Sequence, residues 1–255
     1  DTITSIGEFA FTSCGIIGSL TIPSTVTNIG EYAFNYCTLT SVTLLKGQEG
    51  LIKNIGRYAF LQCSNLQSVS LPEGVQSIGF EAFSSCPNLQ SVSLPEGLQS
   101  IGNSTFFGCS DLQSVSLPEG LQSIGENAFR TSGITGTLTI PSTMTSIGKN
   151  AFINTGELNE ILVYSDNMTT IGEGVWSNSI PTYVTGKSFD KYRSGIFQNY
   201  NVKLLPGADN LGDAIKNLAN LSDAQANAVK SFLKVLNTMG TKQEGPAVVV
   251  TKGEQ

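Results

Sequence analysis

Apolar and polar residues alternate in short runs along this chain. In Leu66-Gln67-Ser68-Val69-Ser70-Leu71 the alternation is that of a half-buried strand. Leu66, Val69 and Leu71 are expected to face a core, with Ser68 and Ser70 in solvent. Pro72 ends the run because it has no N–H to give to a ladder, and Glu73-Gly74 supplies a turn. A short apolar step from Val75 to Ile78 then leads into Gly79, which is expected in a backbone conformation costly for other residues. The Ala82-Phe83 stretch is too short for an independent helix, so one turn of α or 3₁₀ is expected there. The Phe83 ring would fill the space between the two sides of the unit.

The unit recurs. Ile-Gly pairs stand at Ile6, Ile29, Ile55, Ile78, Ile101, Ile124, Ile147 and Ile171, with successive spacings of 23, 26, 23, 23, 23, 23 and 24 residues. Four residues after each Ile comes a small residue and then an aromatic, from Ala10-Phe11 through Thr105-Phe106 to Val175-Trp176. The nonapeptide LQSVSLPEG occurs at 66–74, 89–97 and 112–120. A fixed period in this range means a solenoid, in which no unit has a core of its own and stability comes from stacking.

Composition narrows the chemistry. Only 13% of the 255 residues are charged, against about 25% in an ordinary soluble domain. Histidine is absent, which removes Ser-His-Asp and Cys-His relays and imidazole metal ligands. A net charge of −6 argues against nucleic acid and against anionic membrane surfaces. No apolar run approaches the ~18–20 residues of a membrane span. Five cysteines, Cys14, Cys37, Cys63, Cys86 and Cys109, each follow their Ile by eight residues, and Ser132, Thr155 and Ser179 take the place later. One structural position read five times is a ladder of small buried thiols. A disulfide framework or a zinc site would draw on different positions. No cofactor is called for.

The consensus L-x-x-[VI]-x-[LI]-P-x-x-[LVM]-x-x-I-G-x-x-[AT]-F-x-x-[CST] resembles the BspA-type leucine-rich repeat, also described as the Treponema pallidum type. The resemblance covers about residues 1–180. It implies a right-handed leucine-rich repeat solenoid of about eight units, with a concave β-sheet and short helical or 3₁₀ turns. It also implies a secreted or surface-anchored protein of a host-associated bacterium or parasitic protist, engaged in adhesion. The family has no shared catalytic residues to carry over, and its ligands differ between members.

The outward strand positions form a field of hydroxyls: Thr21, Ser41, Thr43, Ser68, Ser70, Ser91, Ser93, Ser114, Ser116, Thr137 and Thr139. Strands ~4.8 Å apart would set these in rows across the sheet, able to donate to and accept from a peptide or a sugar. Ser68, Ser70, Ser91, Ser93, Ser114, Ser116 and Thr139 are the candidate partner-binding residues. Hydroxyls are also ordinary β-compatible surface for a sheet with one wet face, so both readings stand. Glu73, Glu96 and Glu119 recur at one turn as a solvated row.

Two insertions break the period: a polar bulge in Lys46-Gly47-Gln48-Glu49-Gly50, and one residue near Ser165-Asp166-Asn167. From 181 to 207 an α/β cap is expected, with strands at Pro181–Val184 and Asn201–Leu205 around a short helix at Ser188–Tyr192. Trp176, Tyr183, Phe189, Tyr192 and Phe197 would pack it. Residues 208–255 read as a helical hairpin and tail, with Ser222 and Gln225 as a capping box, able to pack on the cap or to join copies. The chain opens inside a repeat, so a leader or N-terminal cap is expected upstream, unless the first unit is itself a worn cap. The expected function is a non-enzymatic, surface or secreted binding module for a host or microbial extracellular protein or glycan. The alternative is a structural spacer whose C-terminal helices make the contacts.

Overall fold

The computed structural model describes residues 3–46, 52–185 and 189–205. Gly47–Gly50 of the bulge and the hairpin and tail expected over 208–255 lie outside the described residues. The chain winds as a solenoid of eight coils, each taken here from its Ile-Gly pair onward.

One side of every coil is a two-residue strand ending at the Ile. These are β1 (Ser5–Ile6), β3 (Asn28–Ile29), β5 (Asn54–Ile55), β7 (Ser77–Ile78), β9 (Ser100–Ile101), β10 (Ser123–Ile124), β12 (Ser146–Ile147) and β14 (Thr170–Ile171). All eight pair in parallel and in register as one sheet. Two residues are too few to show alternation, so this sheet has no signature in the hydrophobic pattern.

A second side carries the longer strands, and here the sheet is divided. One four-stranded sheet holds β2 (Ile17–Ile22), β4 (Thr38–Leu44), β6 (Ser68–Ser70) and β8 (Ser91–Ser93). The other holds β11 (Gly136–Ile140), β13 (Leu158–Val163), β15 (Pro181–Val184) and β16 (Asn201–Leu204). Leu66, Val69 and Leu71 face inward and are buried, as their spacing predicts.

The third side corrects the expected helical turn. Between Gly79 and Cys86 the backbone makes successive turns in which Glu81 and Ser85 are left-handed, with φ of 51° and 56°. The Ala82 N–H closes one such turn on the Gly79 carbonyl at 3.3 Å. A left-handed residue at the third position is the mark of a type II turn and stops a helix from propagating. The N–H groups of Glu81, Phe83 and Ser85, freed from any helix, donate to the next coil at Asn103, Thr105 and Phe107 (2.7–3.0 Å). On the two-residue-strand side the direction reverses, and Gly102 N–H donates back to the Ile78 carbonyl at 2.8 Å. Buried backbone groups are thus paired between coils on both edges.

Gly79 is needed for a different reason from the one expected. Its φ is ordinary, but a Cβ there would lie 2.9 Å from the Arg57 nitrogen and the Ile55 carbonyl oxygen. The same clash holds at Gly30, Gly56, Gly102, Gly125, Gly148 and Gly172. Glycine here permits close approach of backbones.

Inside, Phe34, Phe60, Phe83, Phe106, Phe129 and Phe152 are fully buried and form one continuous stack, with centroids 5.0–5.5 Å apart. Beside them run the cysteines. Cys37, Cys63, Cys86 and Cys109 are buried, Cys14 is half-buried, and each buried thiol donates to the Phe carbonyl one coil back, at 3.0–3.3 Å.

The last coil is closed by α1 (Phe189–Arg193) and β16. Trp176, Tyr192 and Phe197 are buried in the cap, and Tyr183 is half-buried beneath the Lys203 ammonium. The Phe189 side chain is outside the described set. Two phenols finish the backbone. Tyr200 Oη accepts from Val175 N–H (3.1 Å) and donates to the Gly172 carbonyl (3.3 Å). Tyr192 Oη accepts from Met168 N–H (3.0 Å) and donates to the Ser165 carbonyl (2.7 Å).

Substitution of Gly102 by Ala places a Cβ 2.8 Å from backbone atoms of Gly79 and Ile78, whereas a Cβ at Gly97 meets nothing within 4 Å. Gly102→Ala is expected to lower unfolding stability by about 1–3 kcal/mol. Gly97→Ala should stay within about 0.5 kcal/mol of the parent in a urea titration.

Candidate functional site

The strand side presents the predicted hydroxyls in columns. Ser19, Ser41, Ser68 and Ser91 pair in register across β2, β4, β6 and β8, and Thr21, Thr43, Ser70 and Ser93 form the column beside them. Ser70, Ser91 and Ser93 are exposed and Ser68 is half-buried. None of these four side chains bonds to another described residue, so each keeps one donor and its lone pairs for solvent or a partner.

Ser114 and Ser116 do not join them. Both are exposed, but residues 113–117 form no strand, although the nonapeptide at 112–120 is identical to the two that contain β6 and β8. One coil later a second motif marks the start of the other sheet. Gly133-Ile134-Thr135-Gly136 matches Gly15-Ile16-Ile17-Gly18, and in both segments the second glycine is left-handed, with φ of 76° and 84°. Pairing slips immediately afterwards, between Gly136 and Thr137 and between Gly18 and Ser19, leaving one extra residue on the following strand (Asn159 or Thr40). Such a bulge offsets a strand from its neighbours. Each motif stands at the first strand of a sheet, and residues 113–117 lie between the two sheets, keeping one bond onward, from Thr135 N–H to the Gln113 carbonyl at 3.0 Å. Val92, Leu94, Val115 and Leu117, flanking the gap, are only partly buried. The Phe stack also tilts most here, by 16° between Phe106 and Phe129 against 2–7° elsewhere.

Thr139 lies in the second sheet, where its column continues into Leu162 and Tyr183. Thr137 donates to Glu160 Oε1 at 3.0 Å. The predicted field of hydroxyls is thus two unlike surfaces, of which only the first is a uniform hydroxyl face.

The turn glutamates also differ from one another. Glu73 and Glu96 are exposed, while Glu119 is half-buried and accepts from the N–H and hydroxyl of Ser142 at 3.2 and 2.9 Å. Among the described residues no three His, Cys, Asp or Glu side chains converge to hold a metal. Cys37, Cys63 and Cys109 sit in a setting that favours the neutral thiol. Burial pushes Cys37 up to about 11 and Cys109 up to about 12. Cys63 is raised as well, first by its hydrogen bond with the Cys86 thiol and then by burial. Nucleophilic chemistry needs the thiolate, which this environment opposes.

One concavity was missed by the strand-based reading. A groove of about 440 Å³ runs along the turn side, lined by Tyr36, Gln62, Ser64, Ser85, Pro87 and Gly108. The available signal was Tyr36 itself, an aromatic at a position occupied elsewhere by Ser13, Gln62, Ser85, Gly108, Thr131 and Asn154.

With eight stacked coils, an inward Phe column and a terminal cap established, comparison with known proteins is decisive for the family. The profile of the BspA type leucine-rich repeat region matches in six copies over residues 1–96 and 76–203. The chain belongs to the BspA-type leucine-rich repeat family. The fold is the right-handed type of solenoid shared with its solved relatives. A leucine-rich repeat protein from Bacteroides ovatus is 25% identical with a TM-score of 0.63, covering 80% of this chain and 53% of its own. A leucine-rich cell surface protein from Faecalibacterium prausnitzii is 26% identical with a TM-score of 0.54, covering 71% and 64%. The pneumococcal vaccine antigen PcpA shares the fold at 20% identity and a TM-score of 0.51, covering 80% and 60%. This chain therefore spans between about half and two thirds of the lengths of those three structures. No curated protein matches its sequence.

Amide hydrogen exchange checks the divided sheet. The N–H groups of Ser114 to Leu117 are expected to exchange faster than those of Val69 or Val92, despite identical local sequence. Alkaline titration checks the thiols. The folded pKa values of Cys37 and Cys109 lie above the ordinary 9.0, so their contribution is intact below pH 9, where thiols are neutral in both states. Above it the unfolded chain ionises first, and the urea midpoint is expected to fall from pH 9 through about 11 to 12.

Proposed function

We propose that this chain is a non-enzymatic binding module, displayed on a cell surface or secreted, that recognises an extracellular protein or glycan across the first strand face. The observation that carries the reading is the pair of hydroxyl columns through Ser68, Ser70, Ser91 and Ser93, whose side chains are not used within the fold. A face without charge or a deep pocket suits contact with a large partner more than turnover of a small one. The absence of histidine and the raised thiols favour the same reading. Family membership supports it, since these repeats typically serve as interaction modules. A surface location draws support from the Faecalibacterium relative, itself described as a cell surface protein. The spacer reading differs in assigning all contacts to residues 208–255.

The test is binding of the full chain to immobilised extracellular-matrix proteins and mucin glycans. The double variant Ser70→Arg with Ser93→Arg is expected to lose binding by at least about tenfold, whereas deletion of 208–255 leaves it intact. Circular dichroism would verify that each variant keeps its sheet content. Loss on deletion, with the arginine variant binding normally, would sink the strand-face reading and establish the spacer.

A further inference from the structure

Most of the turn side is explained by stacking. Phe9, Tyr32 and Tyr58 occupy left-handed positions (φ 55–57°), which L side chains rarely adopt, but they stack on one another at 5.0 and 4.4 Å. Phe80 continues the row at 5.1 Å, and the Arg57 guanidinium lies over both Tyr58 and Phe80 at 5.6 and 5.5 Å. Tyr36 has no such account. It is left-handed at φ 58° and 53% exposed, and its side chain makes no hydrogen bond or ring contact with a described residue. The turn sets this conformation in other coils too, at Gln62 and Ser85, and the Tyr36 N–H pairs with the Leu61 carbonyl at 2.9 Å. Neither asks for a ring, so a half-exposed aromatic here points to work done outside the fold.

Its surroundings define that work. Tyr36 walls the groove in the second coil, Gln62 and Ser64 follow in the third, Ser85 and Pro87 in the fourth, and Gly108 lies in the fifth. Side-chain size at the repeated position falls from Tyr to Gln to Ser to Gly, so the groove opens away from the ring. The Gln62 amide and the Ser64 and Ser85 hydroxyls make no side-chain bond to described residues, and no charged group lines the groove. An exposed aromatic face beside neutral donors and acceptors is the recognition chemistry of an uncharged sugar, whose C–H face packs on the ring while its hydroxyls bond sideways. The core rings of the coils that line the groove lie 5.1, 5.1 and 5.5 Å apart from Phe34 to Phe106. That step is close to the length of one pyranose unit in an extended β-linked chain. A polyproline peptide advances only ~3.1 Å per residue and would fall out of step with the polar groups.

We infer that the Tyr36 groove binds a neutral, extended β-linked oligosaccharide laid along the solenoid axis, one sugar to a coil, with a pyranose face stacked on Tyr36. The site lies apart from the strand face and does not rest on the function proposed for it.

Calorimetric titration of the full chain with cellotetraose, chitotetraose, maltotetraose and a proline-rich peptide tests this, using saccharide up to millimolar concentration. At least one β-linked tetrasaccharide is expected to bind, and maltotetraose and the peptide to bind at least about tenfold more weakly. Tyr36→Asn should weaken binding at least about tenfold and yet melt no lower than the parent, because asparagine suits the left-handed region. Gly108→Asn, whose Cβ would meet Ser85 only at 3.8–4.0 Å, should fold normally and weaken the β-linked tetrasaccharide more than the disaccharide of the same sugar, titrated alongside it. The double variant Ser70→Arg with Ser93→Arg should bind sugar as the parent does, so failure here is distinguishable from failure at the strand face. The inference is overturned if no β-linked saccharide binds, if the peptide binds in preference, or if Tyr36→Asn binds like the parent. A Tyr36→Asn variant that melts well below the parent overturns it too, by showing that the ring serves stability.

Discussion

The distance between successive coils, set by the buried phenylalanine stack at 5.0–5.5 Å, governs the rest of this molecule. No coil encloses a core alone, so each is stable only to the extent that its neighbours cover it. A stacked ring pair contributes about 0.5–1.5 kcal/mol beyond burial, and the contribution repeats at every step. Repetition then constrains each position, because a residue meets its own counterparts above and below. Glycine after the Ile follows from that spacing, since a Cβ would strike the backbone one coil back. The low charge follows in part. Like charges stacked at this distance must stay solvated, and opposite ones can pair, as Lys149 does with Glu173 at 3.1 Å. That pair is exposed and contributes little stability.

A stack also needs a way to end. In earlier coils the turn after the Ile-Gly pair closes directly, for example from Ala82 N–H to the Gly79 carbonyl. In the last coil the Tyr200 phenol sits between the equivalent groups of Val175 and Gly172. The turn after the long strand is treated alike. Val75 N–H reaches the Pro72 carbonyl directly, while Tyr192 bridges Met168 and Ser165. One hydroxyl accepts and donates at once, so each phenol satisfies both ends of a turn while its ring adds to the cap. Burial and desolvation raise the Tyr200 phenol pKa, keeping it the neutral donor this role requires.

The sequence made the stacked part of this architecture readable because stacking is periodic. The registers of Phe83 and Cys86 needed only their spacing, and the inward turn of Val69 only its alternation. What it concealed was either too short or too remote. Ser77–Ile78 is a strand of two residues, held by partners one coil away on each side. Gly79 looked like a conformational glycine, because a sequence does not distinguish an unusual φ from a close approach. Left-handed Glu81 and Ser85 carry none of the residue types that signal such turns. The identical nonapeptides are the sharpest case. Those at 66–74 and 89–97 include strands and the copy at 112–120 does not, so the difference lies in the neighbouring coils and not in the local sequence. Of the candidate site, Ser68, Ser70, Ser91 and Ser93 were legible by alternation, whereas Ser114, Ser116 and Thr139 are separated from them by a break in the sheet that alternation does not mark.

The same periodicity limits what each surface can recognise. A face on which Ser68 repeats as Ser91, and Ser70 as Ser93, presents nearly the same pattern after every step. A ligand bound there gains area but little information about its position along the axis, and can slide by one coil with only a small change in contacts. The turn side has the opposite property. Tyr36, Gln62, Ser85 and Gly108 occupy one structural position and are all different, so a ligand displaced by one coil loses the ring and meets other groups. The scaffold requires inward positions to repeat, but it makes no such demand outside. Specificity in a solenoid must therefore reside in the outward positions that break the period, and in the described part of this chain the sharpest such break beside a groove is at Tyr36.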